Sequence, residues 1–236
     1  MRGLQTCEAH VSRCSVKLLR GAAIVLPIGR DDPQHASLRF IAFEGADGAG
    51  KTTQARLLAA HLRTLGNEVV EVREPGGTPA GESVRTLLLD GAAPVGARAE
   101  VLLFAAARAQ LVDDVIAPAL GRGATVIADR YVGSSLVYQG VVRGVGADAV
   151  RAINAIGTGG LSPDATVLLA VTAEQAAARR DPTSADRIER EPMDFHRRVI
   201  AAYDDVLAGD GAGVVRVDGT GEAADVAARV REALGL

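Results

Sequence analysis

The chain has 236 residues, a length that suits one compact domain or one domain plus a tail. Apolar residues make up 48% of the chain and aromatic residues 3%, which allows a sizeable core built mainly from aliphatic side chains. The net charge of -3 argues against a nucleic-acid partner, because phosphate backbones are bound by a broad basic face.

Both cysteines, Cys7 and Cys14, precede residues 37–236, so no disulfide framework can hold the body of the chain together. This cysteine usage predicts a reducing, cytoplasmic setting. No apolar run is as long as a membrane span, and we therefore expect no association with a membrane.

Residues 1–36 differ in character from the rest of the chain. Basic residues precede a short apolar run at 21–28, and a polar, turn-like stretch follows. The segment is predicted to be a disordered N-terminal extension. A secretory signal peptide is the alternative, although the apolar run is short and no clear small-residue cleavage site follows it.

From residue 38 onward, short apolar runs alternate with segments of helical spacing. Strands are predicted at 38–44, 68–72, 124–128, 165–171 and 214–217. Helices are predicted at 51–65, 80–89, 97–120, 147–156, 173–180, 191–207 and 222–234. This alternation predicts one α/β domain over 37–236, with a central parallel sheet of about five strands and helices on both faces. In such sheets ligands bind beyond the carboxyl ends of the strands.

A glycine-rich segment, GADGAGKT, follows the first predicted strand and matches the phosphate-binding motif G-x-x-x-x-G-K-[ST] at every defined position. Backbone N–H groups of such a loop point at phosphate oxygens, Lys51 adds a positive charge for the β- and γ-phosphates, and Thr52 offers a hydroxyl to Mg²⁺. The motif predicts the three-layer P-loop NTPase fold. The predicted ATP-binding residues are Gly45, Ala46, Asp47, Gly48, Ala49, Gly50, Lys51, Thr52 and Thr53.

Asp47 is an unexpected residue in an anion-binding loop, because its carboxylate repels a triphosphate. We expect its side chain to point away from the triphosphate, where it can accept a hydrogen bond from a sugar hydroxyl of the acceptor. An ordinary turn aspartate is the alternative.

Two charged residues, Asp129 and Arg130, follow the third predicted strand. Asp129 can hold Mg²⁺, and Arg130 can bind a phosphate through two N–H groups. Ser134, Ser135 and Gln139 come next as candidate substrate-binding residues. On a helix Ser135 and Gln139 would share a face and form a polar wall able to read a base edge. The alternatives are a surface salt bridge and a solvated helix face.

The long predicted helix carries Glu100, Phe104 and Arg108 at intervals of four residues, which places them on one stripe. An aromatic ring between an acid and a guanidinium suits a nucleobase. The alternative is that Phe104 belongs to the core and that Arg108 is solvated.

Charged residues crowd the segment 178–191, between two predicted helices. The segment can serve as a mobile lid that brings Arg179, Arg180 or Arg187 over the phosphates. A solvated charged loop is the alternative.

Five segments resemble bacterial thymidylate kinases, and the resemblance runs from about residue 39 to the C-terminus. The REPGGT segment and the DRY-x-x-SS-x-x-YQG segment carry it more specifically than the phosphate loop does. In chain order the segments are FEGADGAGKTTQ at 43–54, REPGGTPAGESVR at 73–85, EVLLFAAARAQLV at 100–112, DRYVGSSLVYQG at 129–140 and DRIE at 186–189.

The resemblance implies that a homodimer transfers the γ-phosphoryl group of ATP to dTMP with Mg²⁺, giving dTDP and ADP for dTTP synthesis. On matching positions it implies that Asp47 contacts the acceptor's sugar hydroxyl, that Phe104 stacks on thymine and that Arg108 bonds to the base edge. It also implies that Arg85 and Arg130 hold the acceptor phosphate, and that Ser135 and Gln139 line the same pocket.

The resemblance leaves the catalytic arginine of the lid open. Gly48 stands where some family members carry a basic residue, and members that lack this residue use lid arginines instead. We predict Lys51, Arg130 and Arg187 as the catalytic residues, with Arg179 and Arg180 as further candidates.

Two other functions stay open at this point. Another small kinase with the same phosphate loop would act on a different nucleotide or metabolite. A nucleotide-dependent switch would bind ATP without phosphoryl transfer, and it would not need a second pocket.

Overall fold

The computed structural model describes residues 15–19, 22–26, 38–90, 94–181, 183, 185–209 and 213–236. Most of the predicted extension, residues 1–36, lies outside the described residues. Within it, β1 (Ser15–Leu19) and β2 (Ala22–Leu26) form an antiparallel pair that belongs to a unit separate from Leu38–Leu236. The predicted disorder of this extension stays a prediction.

The body of the chain contains a five-stranded sheet in which all neighbouring strands are parallel, which confirms the predicted fold class. The spatial order of its strands is β4-β5-β3-β6-β7. In chain order they are β3 (Phe40–Glu44), β4 (Val69–Arg73), β5 (Thr125–Asp129), β6 (Ala165–Ala170) and β7 (Val214–Asp218). The central strand β3 is buried along its whole length, as its continuous apolar run predicts.

Helices connect these strands, and all of those described except the short one at Val132–Ser135 lie where the apolar spacing predicts a helix. They are α1 (Lys51–Thr64), α2 (Pro79–Arg85), α3 (Ala97–Leu111), α4 (Val132–Ser135), α5 (Ala147–Thr158), α6 (Ala173–Arg179), α7 (Met193–Gly209) and α8 (Ala223–Leu234). Wider, π-type turns extend α2 through Thr86–Asp90, α3 through Val112–Ile116 to a last turn at Ala117–Gly121, and α4 through Leu136–Val142.

Two helix starts show why the chain turns where it does. The side chain of Thr78 accepts the N–H of Gly81 at 3.0 Å, and Pro79 occupies the first position of α2, where its missing N–H costs nothing. At α6, Thr172 and Gln175 form a reciprocal capping box. Because α2 and α6 each start a few residues after a strand ends, both helices begin near the carboxyl ends of β4 and β6.

The core lies on both faces of the sheet. On one face Ile41 and Phe43 pack with Leu58 of α1 and Val230 of α8. On the other face the alternate strand residues pack against α3 and its extension, with Leu111 fully buried. The predicted three-layer arrangement is confirmed, and the loops at the carboxyl ends of β3, β4 and β5 meet at one edge. None of the helices in the described part of the chain is long and apolar enough to cross a bilayer.

Candidate active site

A cleft of about 620 Å³ opens at the carboxyl ends of β3, β4 and β5. It brings together residues from segments far apart in the sequence, as the strand-end rule predicts. The predicted site residues that line it are Asp47, Gly48, Gly50, Lys51, Thr52, Thr53, Arg85, Phe104, Arg108, Asp129, Arg130, Ser134, Ser135 and Gln139.

The phosphate loop wraps the start of α1. Gly48 has φ of 88°, and a Cβ at this position would lie 2.2 Å from the carbonyl oxygen of Ala176, so only glycine fits. Ala46 and Ala49 are buried and shape the loop from behind rather than lining the cleft. Gly45 precedes them at the end of the buried strand, where its carbonyl accepts from Arg130 at 3.3 Å.

Lys51 is buried at the base of the loop, and its Nζ donates to the carbonyl oxygen of Ala46 at 2.8 Å. Burial, together with the nearby positive charge of Arg130, lowers the pKa of Lys51 to about 8. A polyphosphate placed beside this amine would favour its charged form. The lysine is therefore poised to bind an anion.

Thr52 and Asp129 meet where α1 begins and β5 ends. The hydroxyl of Thr52 donates to a carboxylate oxygen of Asp129, so the two predicted metal ligands are direct neighbours. A hydroxyl and a carboxylate are oxygen donors, which Mg²⁺ prefers. The pair therefore fits the metal that accompanies a nucleoside triphosphate.

The Asp47 carboxylate lies between Arg130 and Tyr138, and one of its oxygens is 4.0 Å from Lys51 Nζ. One of its oxygens pairs with Arg130, and the other accepts the hydroxyl of Tyr138 at 2.9 Å. Burial alone would raise the pKa of Asp47, but Arg130 and then Lys51 hold it well below its usual value. The carboxylate is therefore ionised, and it repels a triphosphate less because Arg130 balances its charge.

Arg130 has a left-handed backbone conformation, with φ of 74°, which is rare for a residue with a side chain. Besides Asp47, its guanidinium contacts the Ser134 hydroxyl at 2.9 Å. Such strained conformations persist where the surroundings fix them, and they concentrate at functional sites. The alternative of a surface salt bridge is wrong, because the Arg130 side chain is only 15% exposed.

Arg108 is 1% exposed, so the alternative that it is solvated is wrong. Its Nε donates to Glu74 at 2.7 Å, and its other N–H groups have acceptors on Glu74, Ser135, Asn154 and the Tyr131 carbonyl. A guanidinium has five N–H donors, of which four make hydrogen bonds to these partners, while Nη2 also forms an ion pair with Glu74. A direct bond from Arg108 to a base edge would require the exchange of one of these partners.

Glu74 is the buried partner of this arginine and a site residue that the sequence analysis missed. It directly follows β4, within the REPGGT segment, and burial raises its pKa despite the neighbouring Arg108. Its second carboxylate oxygen has no hydrogen-bond partner among the described residues. The pair is therefore held in a low-dielectric environment next to the cleft.

The predicted polar wall is buried rather than solvated. Gln139 is 2% exposed and donates to Glu100 at 2.9 Å, and Ser135 is also buried. Phe104 is half-buried, packs against core residues and also faces the cleft. Phe104 is therefore part of the core and also borders the cleft, and its stacking on a nucleobase stays a prediction.

Arg85 and the arginines of segment 178–191 differ in where they point. Arg85 lines the cleft and donates to the Pro75 carbonyl at 3.0 Å, and Arg179 lies by the phosphate loop and donates to the Gly219 carbonyl at 3.0 Å. Arg180 instead contacts His196 at 2.9 Å. Residues 182 and 184 of this segment lie outside the described residues.

Arg187, which the sequence predicts as catalytic, does not line the cleft. Its Nε donates to the Leu88 carbonyl at 2.8 Å, and its Nη2 pairs with Glu100. The buried Glu100 carboxylate requires a cation, which Arg187 supplies at one oxygen, while Arg143 lies 3.8 Å from the other. Arg179 therefore lies beside the phosphate loop, whereas Arg187 lies at Leu88 and Glu100, outside the cleft lining.

Tyr138, Glu44 and Tyr203 are three further polar residues near Arg130 that the sequence analysis did not name. Tyr138 lies within the specific segment 129–140, so the motif held a signal for it. Glu44 is the single charged residue of an apolar strand, which is a weaker signal. The sequence pattern predicts only that Tyr203 is a buried residue of an amphipathic helix. Its hydroxyl contacts with Arg130 and Glu44 are seen in the structure alone.

Comparisons with known proteins agree with this geometry. The family model described as "Thymidylate kinase" matches residues 43–230. A thymidylate kinase of Caldanaerobacter subterraneus subsp. tengcongensis is 49% identical over 165 residues, which cover 70% of this chain and 79% of that protein. One from Rhizorhabdus wittichii is 45% identical over 200 residues, which cover 83% and 96%. The crystal structure of thymidylate kinase from Ehrlichia chaffeensis is 30% identical with a TM-score of 0.69, and covers 83% of this chain and 97% of that one.

Proposed function

The chain belongs to the thymidylate kinase family, and from this premise we propose that it transfers the γ-phosphoryl group of ATP to dTMP, giving dTDP and ADP. One observation carries the proposal beyond the family match. Most of the phosphate loop, including Lys51 and Thr52, and two arginines from other segments, Arg85 and Arg130, line a single cleft. Such a cleft suits two phosphorylated ligands that face each other.

On the donor side, the loop at 45–52 binds the triphosphate with its backbone N–H groups, and Lys51 neutralises the β- and γ-phosphates. In the protein without ligand, Lys51 donates to Ala46, so it changes this carbonyl partner for phosphate oxygens when ATP binds. Thr52 and Asp129 are the residues that would hold Mg²⁺. When bound, the metal neutralises charge on the β- and γ-phosphates.

On the acceptor side, Arg130 and Arg85 bind the phosphate of dTMP. Phe104 offers the face of its ring to thymine, and the buried Ser135 and Gln139 set the polar character of the base pocket. Asp47 reaches the sugar from between the two ligands. Arg108 and Glu74 form an ion pair with each other, so we assign them to the wall of the base pocket rather than to direct contact with the base.

The reaction needs positioning and charge neutralisation rather than a general base. The second pKa of a phosphate monoester is about 6, so the acceptor is largely a dianion near neutral pH. One of its oxygens attacks the γ-phosphorus, the bond between this phosphorus and the β,γ-bridging oxygen breaks, and ADP leaves with the electron pair. Lys51 and Arg130 offset the repulsion between the two anions.

For the lid arginine, the contacts favour Arg179 over Arg187. Arg179 lies beside the phosphate loop, whereas Arg187 would first have to leave the buried Glu100. We expect Arg179→Ala to lower kcat and to raise the ATP KM, and Arg187→Ala to lower the melting temperature instead. A kcat that collapses only in the Arg187 variant would return the catalytic role to Arg187.

The experiment that tests the function is a panel of acceptors in a coupled assay of ADP release with Mg²⁺ and ATP. The panel compares dTMP, dUMP, dCMP and GMP, with a reaction lacking any acceptor as the control. We expect dTMP to give the highest kcat/KM. A preference for another acceptor would identify a different small kinase, and ADP release independent of every acceptor would identify a nucleotide switch or an ATPase.

We also propose a homodimer, in keeping with the resemblance. The support lies on α3 and α5, which pack together and each expose a large apolar residue, Leu102 at 56% and Ile156 at 86%. Light scattering of the purified protein should give the dimer mass, and Leu102→Asp with Ile156→Asp should give the monomer. Leu65→Asp is the matched control, since this leucine is 61% exposed at the end of α1. A monomeric wild-type protein would overturn the proposal.

A cytoplasmic location is part of the same proposal. The support is the lack of any cysteine in residues 37–236, which suits a reducing compartment. Fractionation of the source cells with an antibody against the protein would test it, and recovery in the membrane or secreted fraction would contradict it.

A further inference from the structure

Arg130 is held by more groups than its role in phosphate binding explains. Its Nη2 pairs with Asp47, while its Nη1 faces Ser134 Oγ at 2.9 Å and Tyr203 Oη at 3.2 Å. Tyr203 comes from α7, the helix that follows segment 178–191, and the other residues come from the loops around β3 and β5. A remote helix therefore contributes a hydroxyl directly to the guanidinium.

Behind these two hydroxyls lies a buried carboxylate, Glu44, which is 1% exposed at the end of the central strand. Ser134 Oγ donates to Glu44 Oε2 at 2.6 Å, and Tyr203 Oη donates to the same oxygen at 3.0 Å. Its Oε1 accepts the backbone N–H groups of residues 131 and 134 at 3.0 and 2.9 Å. Glu44 is thus connected to Arg130 through two hydroxyls and does not pair with it directly.

Toward Arg130 the Tyr203 hydroxyl can only accept, because a guanidinium has no acceptor atom. Burial, and then the Glu44 carboxylate, raise the pKa of the Tyr203 phenol well above its usual value, so the hydroxyl keeps its proton. Glu44 Oε2 and Ser134 Oγ, both 3.0 Å away, are the acceptors for this proton, and a lone pair of the hydroxyl accepts from Arg130. Gly133 permits the close approach, because a Cβ there would lie 2.8 Å from Glu44 Oε1.

These contacts also determine which edge of Arg130 is available. Among the described residues, no protein group accepts from the Nε–H of Arg130, whereas Nη1 and one N–H of Nη2 are occupied. A guanidinium binds phosphate through two neighbouring N–H groups, and the free ones lie on Nε and Nη2. The contacts with Tyr203, Ser134 and Asp47 therefore leave the Nε–H and one N–H of Nη2 available to an anion.

We infer that Tyr203 is a positioning residue for Arg130, because it holds the guanidinium in the orientation that binds the acceptor phosphate through hydrogen bonds shared with Ser134 and Glu44. This inference rests on the proposed role of Arg130. It adds a residue from the helix after segment 178–191 to the acceptor site.

The test removes the hydroxyl and keeps the ring. In Tyr203→Phe we expect the dTMP KM to rise about five- to tenfold, the net loss for one typical hydrogen bond, with the ATP KM unchanged. Tyr131→Phe is the matched control, because this buried hydroxyl donates to the Leu161 carbonyl at 3.1 Å, away from the cleft. An unchanged dTMP KM in Tyr203→Phe, or an equal rise in Tyr131→Phe, would overturn the inference.

A double-mutant cycle separates positioning from general structural damage. If Tyr203 acts through Arg130, Tyr203→Phe should not lower kcat/KM for dTMP further in an Arg130→Ala background. Equal losses in both backgrounds would contradict the inference. If Tyr203→Phe fails to fold, Ser134→Ala gives the same cycle. A wild-type protein without dTMP turnover would refute the proposed function itself, whereas a fully active Tyr203→Phe would refute only this inference.

Discussion

The donor half and the acceptor half of the cleft are built in opposite ways. The donor half is one continuous loop, residues 45–52, whose backbone N–H groups and single lysine follow directly from the local sequence. The acceptor half collects side chains from several strands and helices, and it contains the buried pair of Arg108 and Glu74. We therefore expect the loss of a side chain in the donor half to leave the free energy of unfolding unchanged. In the acceptor half, we expect the loss of a charged side chain to lower it.

The largest expected effect is on the donor side and concerns turnover alone. Lys51→Ala should lower kcat by about 10²- to 10³-fold, because a positioned charge next to the γ-phosphate is lost. Its free energy of unfolding should not fall, since burial already disfavours the charged lysine. Urea unfolding beside the coupled assay checks both values. A large loss of stability, or near-normal turnover, would contradict the proposed contrast.

On the acceptor side, Arg108→Ala should lower the free energy of unfolding by about 3–5 kcal/mol, because Glu74 is left buried without its cation. Arg63→Ala is the matched control. This arginine pairs with Glu71 at 2.7 Å, but its side chain is 48% exposed, so its loss should cost about 1 kcal/mol or less. Urea denaturation measures both. Equal losses of unfolding free energy in the two variants would show that the buried ion pair contributes no more to stability than the exposed one.

Phe104→Ala should raise the dTMP KM by about tenfold, because stacking of a base on an aromatic ring contributes roughly 1–3 kcal/mol. The ATP KM serves as the internal control and should stay unchanged. Initial rates at varied dTMP and saturating ATP give the value. If the variant loses stability but keeps its dTMP KM, Phe104 is a core residue only.

The smallest expected effect is the pH dependence of ATP binding. The pKa of Lys51 is about 8 without ligand, and the polyphosphate raises it, so ATP binding takes up a proton above this pH. The ATP KM should be constant below pH 7 and rise about fourfold by pH 8.5. Lys51→Arg should abolish this rise, because arginine does not titrate in this range. A wild-type KM that is flat up to pH 9 would contradict the assignment.

The two halves also differ in how much of them the sequence predicts. The order of strands and helices and the phosphate loop follow from apolar periodicity and one contiguous motif, and the structure confirms them. The contacts of Arg187 with Glu100 and of Tyr203 with Glu44 join residues 87 and 159 positions apart. No local pattern encodes such pairs, because they arise only when the helices pack.

Arg108 shows the same limit at a single residue. Its place on the helix stripe correctly indicated a position beside Phe104 and the cleft. Its four hydrogen-bond partners come from three other segments, and neither of the interpretations drawn from the stripe described them. Periodicity gives the face of a helix, whereas hydrogen-bond saturation is a property of the packed interior.

A single-turnover reaction with ATP labelled at the γ-phosphate, excess enzyme, Mg²⁺ and dTMP shows directly whether the cleft transfers the γ-phosphoryl group to the acceptor. We expect the label to move into dTDP at the rate at which ADP forms, and Arg130→Ala to suppress both. Label released as inorganic phosphate, or retained in ATP while dTMP is present, would contradict this transfer.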